Sequence, residues 1–78
     1  MNNKGKFNFG AELEMEILSN REVIVDGCKG VAEFDENFIK INAPKGAVTF
    51  FGADIEIKSY TECGLIIAGR FERIEFCM

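Results

Sequence analysis

Thirteen acidic side chains, nine basic ones, three cysteines and no histidine are what this 78-residue chain offers for chemistry. Without histidine the commonest general base and the commonest metal ligand are both missing, and a Ser–His or Cys–His nucleophile is excluded. Two carboxylate groupings remain. Glu12, Glu14 and Glu16 fall on one face of the alternating run ELEMEIL, a stripe that could hold Ca²⁺. Hard-cation sites gather oxygens from several directions and favour Asp-rich loops, so a solvated face crossed by Lys or Arg on a neighbouring strand is the better reading. Glu72 and Glu75 could form an acid pair of the glycosidase kind, yet they stand among Arg70 and Arg73 as ordinary strand-surface charges. Cys28, Cys63 and Cys77 form no CxxC and have no histidine to complete a zinc site. Reduced, semi-buried thiols are expected, with Cys77 the one open to oxidative cross-linking. No catalytic, cofactor-binding or metal-ligating residue is assigned, and the chain reads as a non-enzyme.

Bulk composition narrows the partners. A formal charge of −4 opposes a binder of nucleic-acid backbone, which needs a clustered excess of Lys and Arg. The longest apolar run, around LIIAG, is far short of the roughly 20 residues of a membrane span. The first residues, MNNKGKFNFGAELEMEI, lack an apolar signal core, so a cytoplasmic location without membrane insertion is expected. Seventy-eight residues make one domain, near the lower limit at which a single core is adequate and at which a partner copy helps.

The elements that must position these residues are strands. Short alternating runs recur with turn residues between them: ELEMEIL, EVIVDG, KGVAEF, FIKINA, AVTFFG, DIEIKSY, GLIIAG and ERIEF. The fold class is all-β, with about seven to eight short, mainly antiparallel strands in a small roll or sandwich; a solenoid-like stack of β turns is the alternative. Residues 1–10 are expected to be a flexible tail and 11–78 a single β domain.

Three segments share a design: VIVDG, VTFFG and LIIAG each place apolar residues two and four positions before a glycine, at Gly27, Gly52 and Gly69. Afterwards the apolar pairs fall at odd offsets, Ala32 and Phe34, Ile55 and Ile57, Ile74 and Phe76. A straight strand keeps constant parity, so a corner or bulge is expected at each of the three glycines. If Val48 and Phe50 face the core, Phe51 faces away, as do Ile24 and Ile66 by the same parity, with Phe71 a further candidate. These four apolar residues are the candidate interaction surface.

The collinear motifs V-x-G-x-x-G-V-x-x-F (Val25–Phe34), the FIKIN strand with its KG turn (Phe38–Gly46), F-x-G-x-x-I-x-I-K-S (Phe50–Ser59) and GRFERIEF (Gly69–Phe76) resemble the YabP/YqfC family of sporulation proteins, on its YqfC side. The acidic N-terminal stretch FNFGAELEME departs from that subgroup. The resemblance implies a small β protein needed for spore formation in the mother-cell compartment, beside a YqfD-like or YabQ-like membrane protein. It supplies no catalytic residues to carry over. The resulting expectation is a structural or interaction module acting by self-association, as a homo-oligomer, by docking on such a partner, or by both. The alternative is a small β module that binds an apolar ligand or a peptide strand.

Overall fold

The computed structural model describes residues 4–9, 13–19, 21–62 and 64–77. Their alternating apolar residues form seven strands: β1 (Lys4–Phe9), β2 (Leu13–Leu18), β3 (Glu22–Asp26), β4 (Val31–Asp35), β5 (Phe38–Ala43), β6 (Gly46–Tyr60) and β7 (Gly64–Cys77). All pair antiparallel in one sheet of order β1-β2-β3-β7-β6-β5-β4. The fold is therefore all-β: two meanders, β1-β2-β3 and β4-β5-β6-β7, joined by the pairing of β3 with β7, and not a stack of repeated turns. The eight expected runs become six strands, because AVTFFG joins DIEIKSY in β6 and GLIIAG joins ERIEF in β7. The seventh strand is a correction. Residues 4–9, assigned above to a flexible tail, form β1, whose register sets Phe7 opposite Met15, Phe9 opposite Leu13 and Lys6 opposite Glu16. The short alternation FNF continues the period-2 pattern of β2 on its outer edge.

A straight 15-residue strand would run about 46 Å, whereas the longest dimension of the molecule is 29 Å. The hairpin of β6 and β7 must therefore bend, and the bend divides the sheet into two arms. The first arm holds β1, β2, β3 and the halves of β6 and β7 nearest their shared turn. The second holds β4, β5 and the remaining halves. Folding one arm over the other covers the apolar face, with Leu13, Met15, Val23, Val25, Leu65 and Ile67 buried on the first arm and Ile39, Ile41, Val48 and Phe50 on the second. Phe50, fully buried, is the largest of these side chains.

The bend is built from bulges fitted to glycines. Ala53 pairs with Arg70 and Glu56 with Ala68, so Asp54 and Ile55 together oppose Gly69. Asp54 adopts φ 55°, and a Cβ on Gly69 would lie 2.9 Å from Ile55 Cα. In the other direction Phe51 pairs with Arg73 and Gly52 with Phe71, leaving Glu72 as the extra residue. A Cβ on Gly52 would stand 1.9 Å from the Arg70 carbonyl oxygen. The corners at Gly52 and Gly69 are thus one shared bend, in which each glycine admits the other strand's backbone while the parity change itself falls at Asp54 and Glu72. Two hairpin turns fasten it: the Gly52 and Ile55 N–H groups donate to the carbonyls of Asn37 and Glu36, and the Gly69 N–H donates to that of Arg21. Gly27, at φ 89°, ends β3 and starts the connection to β4, which donates from Lys29 N–H to the Asn42 carbonyl and accepts from Asn42 N–H at the Gly30 carbonyl.

The expected parity holds in part. Ile55 is buried, and Ile57 and Ile74 pack against the core. Ala32 is exposed, and Val31 packs against the core in its place, because the β4–β5 register slips between Val31 and Glu33. Phe34 and Phe76 are 48% and 50% exposed; β4 is an edge strand, and Phe76 lies near the end of β7.

Candidate functional surface

The sheet register arranges the outer face of the second arm in rows, because directly paired residues share a face. One row runs Asp35, Phe38, Phe51, Arg73; the next runs Glu33, Lys40, Thr49, Glu75. Phe51 is half-buried at the centre. Its ring lies 6.3 Å from that of Phe38 at a tilt of 34°, and the Arg73 guanidinium carbon sits 4.2 Å over its other side. A cation held over an aromatic face at this distance is attracted by the ring quadrupole, by about 0.5–1 kcal/mol at an exposed site. Arg73 Nε also reaches Glu75 Oε2 at 3.3 Å, both side chains more than half exposed. The result is an apolar centre with a charged rim, the composition that suits a protein contact, where aromatics and arginine are enriched.

The remaining candidates lie elsewhere. Ile24 and Ile66 are directly paired, half-buried neighbours on the outer face of the first arm, between Glu16 and Ser59 in their row. Since the core lies between the arms, they face away from Phe51, and the structure gives two separate apolar spots. Phe71 belongs to neither. It is 9% exposed and meets Phe50 edge-on, ring centroids 6.0 Å apart, so it is a core residue and leaves the candidate surface. The cause is that β7 keeps its parity from Ile67 to Phe71 and shifts only at Glu72. Phe38 and Arg73, absent from the sequence-based set, complete the surface around Phe51. The alternation of FIKIN places Phe38 opposite Ile39 in facing, but only the β5–β6 register brings it to Phe51.

Open clefts flank the strands. One, about 580 Å³, lies between Gly27–Gly30 and Tyr60–Glu62, with Cys28 at its wall. A smaller one of about 150 Å³ includes Ile24, Ile66 and Ser59. Another, about 300 Å³, is largely apolar and runs beside β7 along Ile17, Val23, Phe71 and Ile74, with Glu72 and Arg73 also at its wall. Cys28 is buried and Cys77 exposed, while Cys63 lies outside the described residues, as does Glu12. Glu14 and Glu16 are half-buried on the outer face. Among the described residues no three His, Cys, Asp or Glu side chains converge as a metal-binding group, and no helix is long and apolar enough to cross a membrane.

Fold and surface define a small, single-sheet β protein with an aromatic outer patch and no assigned catalytic set. The family model described as the YabP family matches residues 10–77, and the chain belongs to that family. No curated protein and no solved structure matches the chain. Membership of the YabP family is consistent with a role in sporulation.

Proposed function

We propose that this protein is a non-enzymatic structural or interaction module of spore formation, working by self-association, by docking on a membrane-protein partner in the mother cell, or by both. The observation that carries the reading is the outer face of the second arm. Phe51 stands half out of the sheet, held between Phe38 and Arg73, in a position where no core needs it. An aromatic kept at a solvent-facing centre and ringed by charges is the pattern of an interface anchor. Ile24 and Ile66 supply a second, weaker contact on the opposite side.

The test is Phe51→Glu. Placing a carboxylate on this face leaves the buried residues untouched, so the circular-dichroism spectrum should be unchanged while oligomer mass or capture of the co-expressed membrane partner falls. Unaltered mass by light scattering together with unaltered capture would remove the surface from consideration. The second reading, binding of an apolar ligand or a peptide strand, is favoured by the apolar groove beside β7.

A further inference from the structure

The central row on the outer face of the second arm has a direction set by its charges. Across the sheet it reads Asp35, Phe38, Phe51, Arg73, one residue from each of β4, β5, β6 and β7. An acid stands at one end and a base at the other, both exposed, with two half-buried rings 6.3 Å apart between them. Turned end for end, this row is its own complement. Acid falls on base, ring on ring and base on acid.

We propose that two copies of this chain dock face to face through this row, about a twofold axis that runs parallel to the strands and passes between Phe38 and Phe51. The inference rests on the reading of the protein as a self-associating module and supplies the orientation of the contact. The charges select the axis. A twofold axis lying along the row would place Asp35 on the partner's Asp35 and Arg73 on the partner's Arg73, two like-charge contacts. An axis along β6 would set Arg73 against the partner's Phe38 and leave Asp35 outside the contact. Between β5 and β6, the axis sets Asp35 against the partner's Arg73, Phe38 against the partner's Phe51, and the converse of each. Four rings then meet at the centre with an ion pair on either side, the apolar middle and charged rim of a protein interface. The pairing is isologous and closes at two copies.

The charged groups can serve both contacts. Asp35 Oδ1 accepts the Asn37 N–H at 2.8 Å, and an ionised carboxylate accepts at both oxygens. Arg73 stands at the rim of the Phe51 ring with its guanidinium exposed. In the neighbouring row, Glu33, Lys40, Thr49 and Glu75, the same axis brings Glu33 toward the partner's Glu75. Each of those acids has a base beside it on its own copy: Lys40 is paired with Glu33, and Arg73 Nε reaches Glu75 Oε2 at 3.3 Å. Face-packed sheets also cross at about 30°, so side chains diverge away from the central row. A second copy suits this face better than an anionic bilayer does, because Glu33, Asp35 and Glu75 outnumber Lys40 and Arg73 around the rings. Four strands about 4.8 Å apart make a narrow contact. A contact that small implies a weak, reversible dimer.

The experiment is sedimentation of the full chain under reducing conditions, which removes any Cys77 cross-link, at concentrations from about 1 μM to about 1 mM. Wild type should shift reversibly from monomer to dimer across that range. Asp35→Arg and Arg73→Asp should each weaken the dimer by about tenfold or more, since each turns two attractive pairs into two repulsive ones. An equimolar mixture of the two variants should regain it, because Arg in place of Asp35 then meets Asp in place of Arg73 while the remaining Arg73 meets the remaining Asp35. Asp35→Asn keeps an acceptor for the Asn37 N–H and should weaken the dimer by about threefold, which covers the case in which circular dichroism shows Asp35→Arg to be unfolded. A wild type that stays monomeric overturns this proposal, and the Phe51 reading stands only if capture of the membrane partner still depends on Phe51. A dimer lost in Phe51→Glu but indifferent to Asp35→Asn and Arg73→Asp overturns the orientation and leaves the Phe51 surface in place. Folded single variants that lose the dimer and do not regain it on mixing overturn the twofold pairing of Asp35 with Arg73.

Discussion

Among the described glycines, Gly52 carries the sharpest steric demand. A methyl group there would lie 1.9 Å from the Arg70 carbonyl oxygen and 2.8 Å from its carbon, both backbone atoms that no rotamer change can move. Gly52→Ala should therefore cost about 3 kcal/mol or prevent folding, since forcing atoms into a packed contact costs 1–3 kcal/mol or more. Urea unfolding followed by tryptophan-free far-UV circular dichroism reads this directly, and a loss under about 1 kcal/mol would mean the bend is looser than described. That a corner stands at Gly52 was legible, because three segments repeat the same apolar spacing before a glycine. Where the parity changes was not, since a bulge belongs to two strands at once. The extra residues, Asp54 and Glu72, can be named only after the register is known. Phe71 was obscured for the same reason: charged neighbours at Arg70, Glu72 and Arg73 suggest an outward ring, while the uninterrupted parity from Ile67 carries it into the core against Phe50.

At the scale of elements, the sequence shows alternation but not continuity. DIEIKSY and ERIEF read as strands in their own right because bulges reset the phase of the apolar pattern, and they prove to be the second halves of β6 and β7. The bend that joins the halves turns on Asp54, held at φ 55° with its carboxylate 3.3 Å from Arg70 Nη2. That ion pair is exposed on both sides and contributes little; the backbone conformation matters more. Asparagine tolerates the left-handed region, and a β-branched residue there pays about 1–2 kcal/mol. Asp54→Asn should thus stay within about 1 kcal/mol of wild type, and Asp54→Val should lose about 1–2 kcal/mol, both measured by urea denaturation. Equal losses in the two variants would mean that the carboxylate, and not the φ value, sustains the corner. Phe38 teaches the companion lesson for the surface, since its place beside Phe51 follows from a hairpin register set by the Pro44–Lys45 turn, six residues from each ring.

For the whole molecule the governing fact is that one sheet supplies both layers of its own core, so closure of the two arms and burial of the core are the same event. Cys28 reports on it. The residue lies on the connection from β3 to β4, is 3% exposed and belongs to the buried cluster, with the connection tied to β5 through Asn42. In the variant Cys63→Ser/Cys77→Ser, the Cys28 thiol should react with a maleimide only when the arms part. Its rate in native buffer should fall below that in urea by roughly 10³-fold or more, following the unfolding equilibrium. Rising denaturant should accelerate labelling with the dependence of global unfolding. Labelling that is fast and indifferent to urea would show that the Gly27–Gly30 connection opens locally, and closure would then have to be credited to the β6–β7 bend alone. Slow labelling would tie the two arms into one cooperative unit. In that unit the outer faces are the surfaces left for partners, and on the second arm that face carries the Phe51 patch with Arg73 over its ring.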